Sequence, residues 1–258
     1  MSAYANMSHL HVRRVSQALG RHVSLTALLP EEGDGPFPVV YLLHGMMDDY
    51  STWLRRTALE RHALGRGLAI ILPDGGLSWW RNDSEYGGRY EDLVLETVGY
   101  CERTFPVTRQ RAGRSIMGNS MGGYGALRLG LKYADRFSTV VAFAPAVRWG
   151  KQTHRDDDPP ALAARVAGAG LMPRLRIECG LDDALVAGNR EFHAQLTALS
   201  FAHEYHERPG GHFWDAWDAW LPGALDFVGS ASAPRLGIKD GPAAASVRPN
   251  AAKPNAGG

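Results

Sequence analysis

The chain opens with two β-rich runs, at 9–17 and 22–29, on either side of a turn at Leu19-Gly20-Arg21. They predict an opening pair of strands. Later strands are predicted at 38–43, 68–72, 114–117, 139–143 and 175–179, with another strand-like run at 203–207. Most of the later ones are continuously apolar (VVYLL, AIIL, TVVAF), as strands buried on both faces are. Between them the apolar spacing lengthens to that of helices. Leu95, Val98, Cys101 and Phe105 share one helical face. Tyr124, Leu127 and Leu131 share a second, Phe192, Leu196 and Leu199 a third, and Trp217, Leu221 and Leu225 a fourth. Strand followed by helix, repeated, implies crossover units: a mainly parallel, twisted sheet between two helical layers. The segment 148–172 is the least regular. Its Asp156-Asp157-Asp158-Pro159-Pro160 run is expected to break structure, where an insertion over the sheet edge would sit.

Composition narrows the class. Of 258 residues, 45% are hydrophobic and 21% charged, which suits a folded α/β body and argues against a disordered chain. Lys+Arg (28) and Asp+Glu (27) nearly cancel, so no basic excess exists to bind a nucleic acid. From Ser230 onward the chain is rich in Pro, Gly, Ala and Ser (SASAPRLGIKDGPAAASVRPNAAKPNAGG). The expected division is a folded domain at 1–229 and a disordered tail at 230–258. Two cysteines, Cys101 and Cys179, cannot staple a chain of this size, and a reducing compartment follows. The start, MSAYANMSHLHVRR, lacks the apolar core of a secretory signal, and no apolar run approaches the ~20 residues of a membrane span. The expectation is a cytoplasmic protein with no membrane partner. A homo-oligomer is left open.

The chemistry centres on Gly118-Asn119-Ser120-Met121-Gly122, which fits G-x-S-x-G. A serine on a tight strand-to-helix turn has a strained backbone, and side chains two residues to either side would collide with the strand and the helix. The context suits the motif: Arg114-Ser115-Ile116-Met117 has strand character, and the residues after Gly123 have helical spacing. A serine hydroxyl needs a base. Of ten histidines, His212 lies in a Gly-rich loop, Arg208-Pro209-Gly210-Gly211-His212, after a strand-like run and before a helix. His193 falls within a helix, and His203 and His206 alternate along a strand. An acid should orient the imidazole. Asp182 and Asp183 follow the strand 175–179, and the residues alone leave both open. Tyr41-Leu42-Leu43-His44-Gly45-Met46-Met47 ends the third strand. The amides of Met46 and Met121 are the natural donors to an oxyanion.

With these residues in place, the chain resembles the esterase family of α/β-hydrolases. That family includes tributyrin, feruloyl-type and S-formylglutathione esterases and, more distantly, the antigen 85 mycolyltransferases. The likeness covers roughly 9–228. It rests on the blocks YLLHGMMDDYSTW, ILPDGG, RYEDLVLE, GNSMGGYGALRLGLKY, CGLDDALVAGNREF and RPGGHFWDAW. The resemblance implies the α/β-hydrolase fold, a three-layer α/β/α sandwich. It makes Ser120 the nucleophile, His212 the base and Asp183, in a G-x-x-D-x-L pattern, the acid. It maps the oxyanion donors to Met46 and Met121. No cofactor and no metal are expected.

Trp79, Trp80, Trp149 and Trp214 are candidates to line an ester pocket, whereas Trp217 and Trp220 look like helix packing. Asp74 is a candidate for a substrate hydroxyl or for holding its loop. The implied activity is a serine carboxylesterase for small-molecule esters with short acyl or small aryl groups, acting through an acyl-enzyme. S-formylglutathione hydrolysis and acyl transfer to an alcohol would use the same three residues. A non-catalytic binding protein of the same fold is the reading from another class.

Overall fold

The computed structural model describes residues 6–82, 87–149 and 157–232. In its sheet, alternation decides which core each side chain reaches. In β3 (Val39–Leu43), Val39, Tyr41 and Leu43 pack into one core, and Val40 and Leu42 into another. In β4 (Ala69–Pro73), Ala69 and Ile71 separate from Ile70 and Leu72 in the same way. In β6 (Thr139–Phe143), Val140 and Ala142 separate from Val141 and Phe143. A strand with two dry faces has no polar position to offer, which is why these runs are continuously apolar.

The remaining strands are β1 (Met7–Ser16), β2 (Arg21–Pro30), β5 (Arg114–Asn119), β7 (Arg174–Gly180) and β8 (His203–Arg208). They form one eight-stranded sheet in the order β1-β2-β4-β3-β5-β6-β7-β8. The β1–β2 hairpin is antiparallel, and β2 joins β4 antiparallel. From β4 to β8 every pairing is parallel. The loops after β3, β5, β7 and β8 therefore open at one edge. The strand order reverses about β3, with β4 on one side and β5 on the other, which makes a crevice at their C-terminal ends.

Helices α3 (Tyr90–Thr104), α4 (Met121–Lys132), α5 (Pro159–Ala169) and α6 (Val186–Ala198) pack on one face through residues such as Val94, Leu127, Leu162 and Phe192. The short helices α1 (Thr52–Arg56) and α2 (Leu59–Ala63) join α7 (Trp214–Ser232) on the other, through Trp53, Leu59 and Leu221. This is the expected three-layer sandwich. Among the described residues no helix is long and apolar enough to cross a membrane. Helix α7 runs to Ser232, past the boundary expected at 229; the tail beyond it lies outside the described residues.

The Asp-rich segment departs from expectation. Asp158 stands, extended, at the N-cap of α5, and Pro159 and Pro160 fill its first turn. Proline is tolerated there because the missing N–H would have no helical partner. Asp-Pro-Pro thus starts a helix. The two carboxylates also enter a buried ionic cluster. Arg81 Nη1 donates to Asp158 at 2.8 Å and to the Tyr124 hydroxyl at 2.7 Å, and Arg81 Nη2 donates to Asp157 at 2.9 Å. Arg128, on α4, pairs with Asp157 and with Glu91 of α3, the latter at 2.6 Å. Arg81, Arg128, Glu91 and Asp158 are nearly inaccessible to solvent. Burial alone would raise the Asp157 carboxyl, but hydrogen bonding and charge from Arg128, with the Arg81 charge, hold it below the usual carboxylate range. The cluster fastens α3, α4 and the start of α5 together.

Removing one partner from such a cluster leaves an uncompensated buried charge, which costs about 3–5 kcal/mol. Asp158→Ala is expected to lower unfolding stability by about 3 kcal/mol in urea titration. Asp34→Ala, at an exposed loop position, should stay within about 0.5 kcal/mol.

Candidate active site

The chain leaves β5 at Asn119 and enters α4 at Met121, and Ser120 takes the whole turn at φ 54°, ψ −117°. For a residue with a Cβ this conformation costs about 1–3 kcal/mol. Backbone bonds hold it there. The Ser120 N–H donates to Phe143 O at 2.8 Å, and Ser120 O accepts from the N–H groups of Tyr124 (2.9 Å) and Ala146 (3.2 Å). The flanking glycines are steric necessities. A Cβ on Gly118 would lie 2.4 Å from Gly122 O, and one on Gly122 would lie 2.4 Å from Leu43 O.

His212 and Asp183 arrive from the loops after β8 and β7. Those loops are tied together: Leu181 N–H donates to Arg208 O at 2.8 Å, and Asp182 N–H to Gly210 O at 3.0 Å. The Ser120 hydroxyl donates to His212 Nε2 at 2.8 Å, and His212 Nδ1–H donates to Asp183 Oδ2 at 2.7 Å. A carboxylate only accepts, so the neutral ring carries its proton on Nδ1. Asp183 Oδ1 accepts the Leu185 N–H at 2.8 Å, which fixes the carboxylate plane. The Asp183 side chain is wholly buried, whereas that of His212 is 34% exposed. Asp182 is exposed and reaches the histidine loop only through its backbone. The arrangement can pass a proton from Ser120 to His212 while Asp183 balances the charge that forms.

Ser120 opens on a pocket of about 450 Å³, whose lining includes Met46, Met121, Trp79, Trp149, Phe213 and Trp214. Met121 is the first residue of α4, so its N–H lies among the helix-end donors without an intrahelical acceptor. The Met46 N–H belongs to the Gly45–Met46 peptide, whose carbonyl accepts from His44 Nδ1 at 2.8 Å. In a trans peptide the C=O and N–H point opposite ways, so pinning the carbonyl aims the Met46 N–H. His44 Nε2 in turn accepts the Gly75 N–H at 2.9 Å, and the Trp80 Nε1–H donates to His44 O at 3.3 Å. Both ring nitrogens are used as in the neutral form, and burial lowers the ring's proton affinity.

Two expected pocket residues lie elsewhere. Trp80 is fully buried and absent from the lining. Positive φ at Trp79 and Trp80 turns its ring inward against Gly75 and Gly125, where only a bare Cα leaves room. Asp74 is also outside the lining; its Oδ1 accepts the Gly76 N–H at 3.3 Å and faces His44 at 3.8 Å. Trp217, expected to serve packing alone, also lines the pocket, and its ring meets His212 edge-on at 5.0 Å between centroids. His44, Asp48, Asn119 and Phe213 were not singled out in the sequence. Position alone could have flagged two of them: His44 ends a strand beside an oxyanion-type glycine, and Asn119 is the residue before the serine. Cys101 and Cys179 are buried and unpaired, and burial pushes both thiols up to about 12.

The fold and this constellation define a serine hydrolase of the α/β-hydrolase type. The family model described as "Putative esterase" matches residues 16–228, and the chain belongs to that esterase family, enzymes acting on carboxylic ester bonds. An acetyl esterase from Caldicellulosiruptor saccharolyticus is 28% identical over 265 residues, covering 88% of this chain and 100% of the relative. Among solved structures, the fluorophosphonate-binding serine hydrolase FphF of Staphylococcus aureus is 27% identical. Its TM-score is 0.80, with 87% of this chain and 99% of that one covered. The S-formylglutathione hydrolase FrmB of the same organism is 26% identical, with a TM-score of 0.78 and the same coverage.

The lowered proton affinity of His44 has a sign. The unfolded ring, near the ordinary value of about 6.5, binds protons that the folded ring refuses. The stabilising difference is therefore complete above about pH 6.5 and is lost as pH falls below it, by at most about 1.4 kcal/mol per pH unit. His44→Gln keeps a donor and an acceptor but does not titrate. Urea midpoints at pH 7 and pH 5 should differ less for this variant than for the wild-type chain.

Proposed function

We propose that the chain hydrolyses small carboxylic esters through an acyl-enzyme on Ser120. The observation that carries this reading is the unbroken hydrogen-bonded chain from Ser120 Oγ through His212 to buried Asp183, at the bottom of a pocket with aromatic walls. Ser120 Oγ attacks the ester carbonyl, and its proton passes to His212 Nε2. The imidazolium is stabilised by Asp183. The carbonyl oxygen becomes an oxyanion, met by the N–H groups of Met46 and Met121, the second of them at a helix N-terminus. His212 gives its proton to the leaving alcohol oxygen as the C–O bond breaks. Water then enters and its oxygen attacks the acyl carbon as His212 takes its proton; the acyl-serine bond breaks, His212 returns the proton to Ser120 Oγ, and the acid is released.

A pocket of about 450 Å³ with Trp79, Trp149 and Trp214 in its walls suits short acyl or small aryl groups. The name of the acetyl esterase relative points the same way. The likeness to FrmB favours one second reading, a thioester such as S-formylglutathione, with a thiol leaving in place of an alcohol. An alcohol replacing water in the second half would give acyl transfer with the same residues. The two buried, unpaired cysteines suit the cytoplasmic location read from the sequence. The proposed domain runs through α7 to Ser232, with the Pro-, Gly- and Ala-rich segment after it as a separate tail.

Hydrolysis of p-nitrophenyl acetate, butyrate and octanoate tests this reading. Acetate and butyrate should be turned over well and octanoate poorly. Ser120→Ala should lose activity by about 10⁴-fold or more, and Asp183→Asn by about 10²–10⁴-fold. Asp182→Asn should stay near wild type. Equal activity of wild type and Ser120→Ala would overturn the proposal.

A further inference from the structure

Acylation of Ser120 gives the leaving alcohol a fixed place. Besides Ser120 Oγ, the attacked carbon carries three groups, each with its own direction. The oxyanion turns to the N–H groups of Met46 and Met121. The alcohol oxygen must come within hydrogen-bond reach of His212 Nε2, which protonates it as it leaves. The acyl substituent takes the direction that remains. The carbon chain of the alcohol therefore starts beside His212, and the next residue along the backbone is Phe213. Phe213 lines the same pocket as Ser120 and His212, and it is 69% exposed.

The backbone holds Phe213 there. Its N–H donates to Gly211 O at 3.0 Å, and its carbonyl accepts from the N–H groups of Ala216 (3.2 Å) and Trp217 (3.4 Å) at the start of α7. The ring lies over Gly211, where a Cβ would stand 2.9 Å from Phe213 Cε2. The adjacent Trp214 is instead set edge-on to Trp53 and Trp217, at 5.1 and 4.9 Å between centroids. Met46, also exposed, lines the same pocket, and Met47 beside it is 90% exposed at φ 65°. An apolar side chain standing singly at a surface needs no explanation, but several about one pocket mark a surface for a ligand. We propose that Phe213, with Met46 and Met47, forms an apolar leaving-group subsite, so that the enzyme selects esters of alkyl or aryl alcohols over esters of polar ones. The proposal rests on the acyl-enzyme reading above. Phe213 is then a specificity-determining residue. A polar leaving group such as glutathione gains nothing from this surface.

The test compares butyl acetate with 2-methoxyethyl acetate by pH-stat. The two alcohols have the same chain length, but an ether oxygen replaces one methylene and makes the second the better leaving group, so intrinsic reactivity favours the polar ester. Both give the same acetyl-enzyme, and kcat/KM covers only the steps up to loss of the alcohol. The wild-type enzyme is expected to favour butyl acetate by about fivefold or more in kcat/KM. Phe213→Ser should bring that ratio to about one or below, and Phe213→Leu, which stays apolar, should keep most of it. Phe213→Gln gives the same reading as the serine variant if that one does not fold. The ratio of ethyl butyrate to ethyl acetate, which differ only in the acyl part, should not move. A wild-type ratio under about fivefold, with p-nitrophenyl acetate turned over, overturns the subsite and leaves the esterase reading standing. A high ratio that the polar variants retain, or an acyl ratio that shifts along with it, overturns the assignment to Phe213. Failure on every ester, p-nitrophenyl acetate included, sinks both readings.

Discussion

The site depends on one close approach. At the ends of β3 and β5 the backbone of the Ser120 turn comes so near the Leu43 and His44 carbonyls that no side chain fits at Gly118 or Gly122. That contact brings the start of α4 against the end of β3, so the Met121 N–H and the Gly45–Met46 peptide share one small volume. It also forces Ser120 into positive φ, which lifts its hydroxyl out of the sheet edge and toward the loops that follow β7 and β8. The strain is tolerated because parallel pairing on both sides of β5, five registered positions with β3 and five with β6, leaves the strand no freedom to relax.

Much of this was legible in the sequence because its causes are local. Continuous apolar runs located β3, β4 and β6, since a strand buried on both faces has only one composition available to it. The glycines of G-x-S-x-G and the Gly-rich loop before His212 carry steric requirements that can be read without coordinates. What stayed hidden depends on contacts distant in sequence. Asp157 and Asp158 read as a polar break, because nothing near them in the chain announces Arg81 and Arg128, more than 20 residues away. Trp80 read as a pocket residue because two adjacent tryptophans at a strand end look alike. Only the bare Gly75 and Gly125, against which the Trp80 ring packs, separate one that lines the pocket from one that props up its loop. Asp182 and Asp183 likewise differ in what their loop faces, a difference the residues alone do not express.

The two histidines of the site face opposite demands, and their surroundings divide the tasks. His44 serves as a strut: both ring nitrogens are engaged with backbone, Trp80 covers it, and burial disfavours its charged form. A proton on Nε2 would set an N–H against the Gly75 N–H and lose that contact, whereas Nδ1–H would keep its bond to the Gly45 carbonyl. His212, in the proposed chemistry, must gain and lose a proton in every half-reaction. It is one-third exposed in the pocket lining, with a buried carboxylate behind it to balance the charge. The neutral ring is therefore sealed beneath the loop, and the ring that must ionise stands at the water-facing end. In the proposed chemistry the Met46 N–H can then hold its direction while the charge on His212 changes, because no proton needed by the reaction passes through the element that aims it.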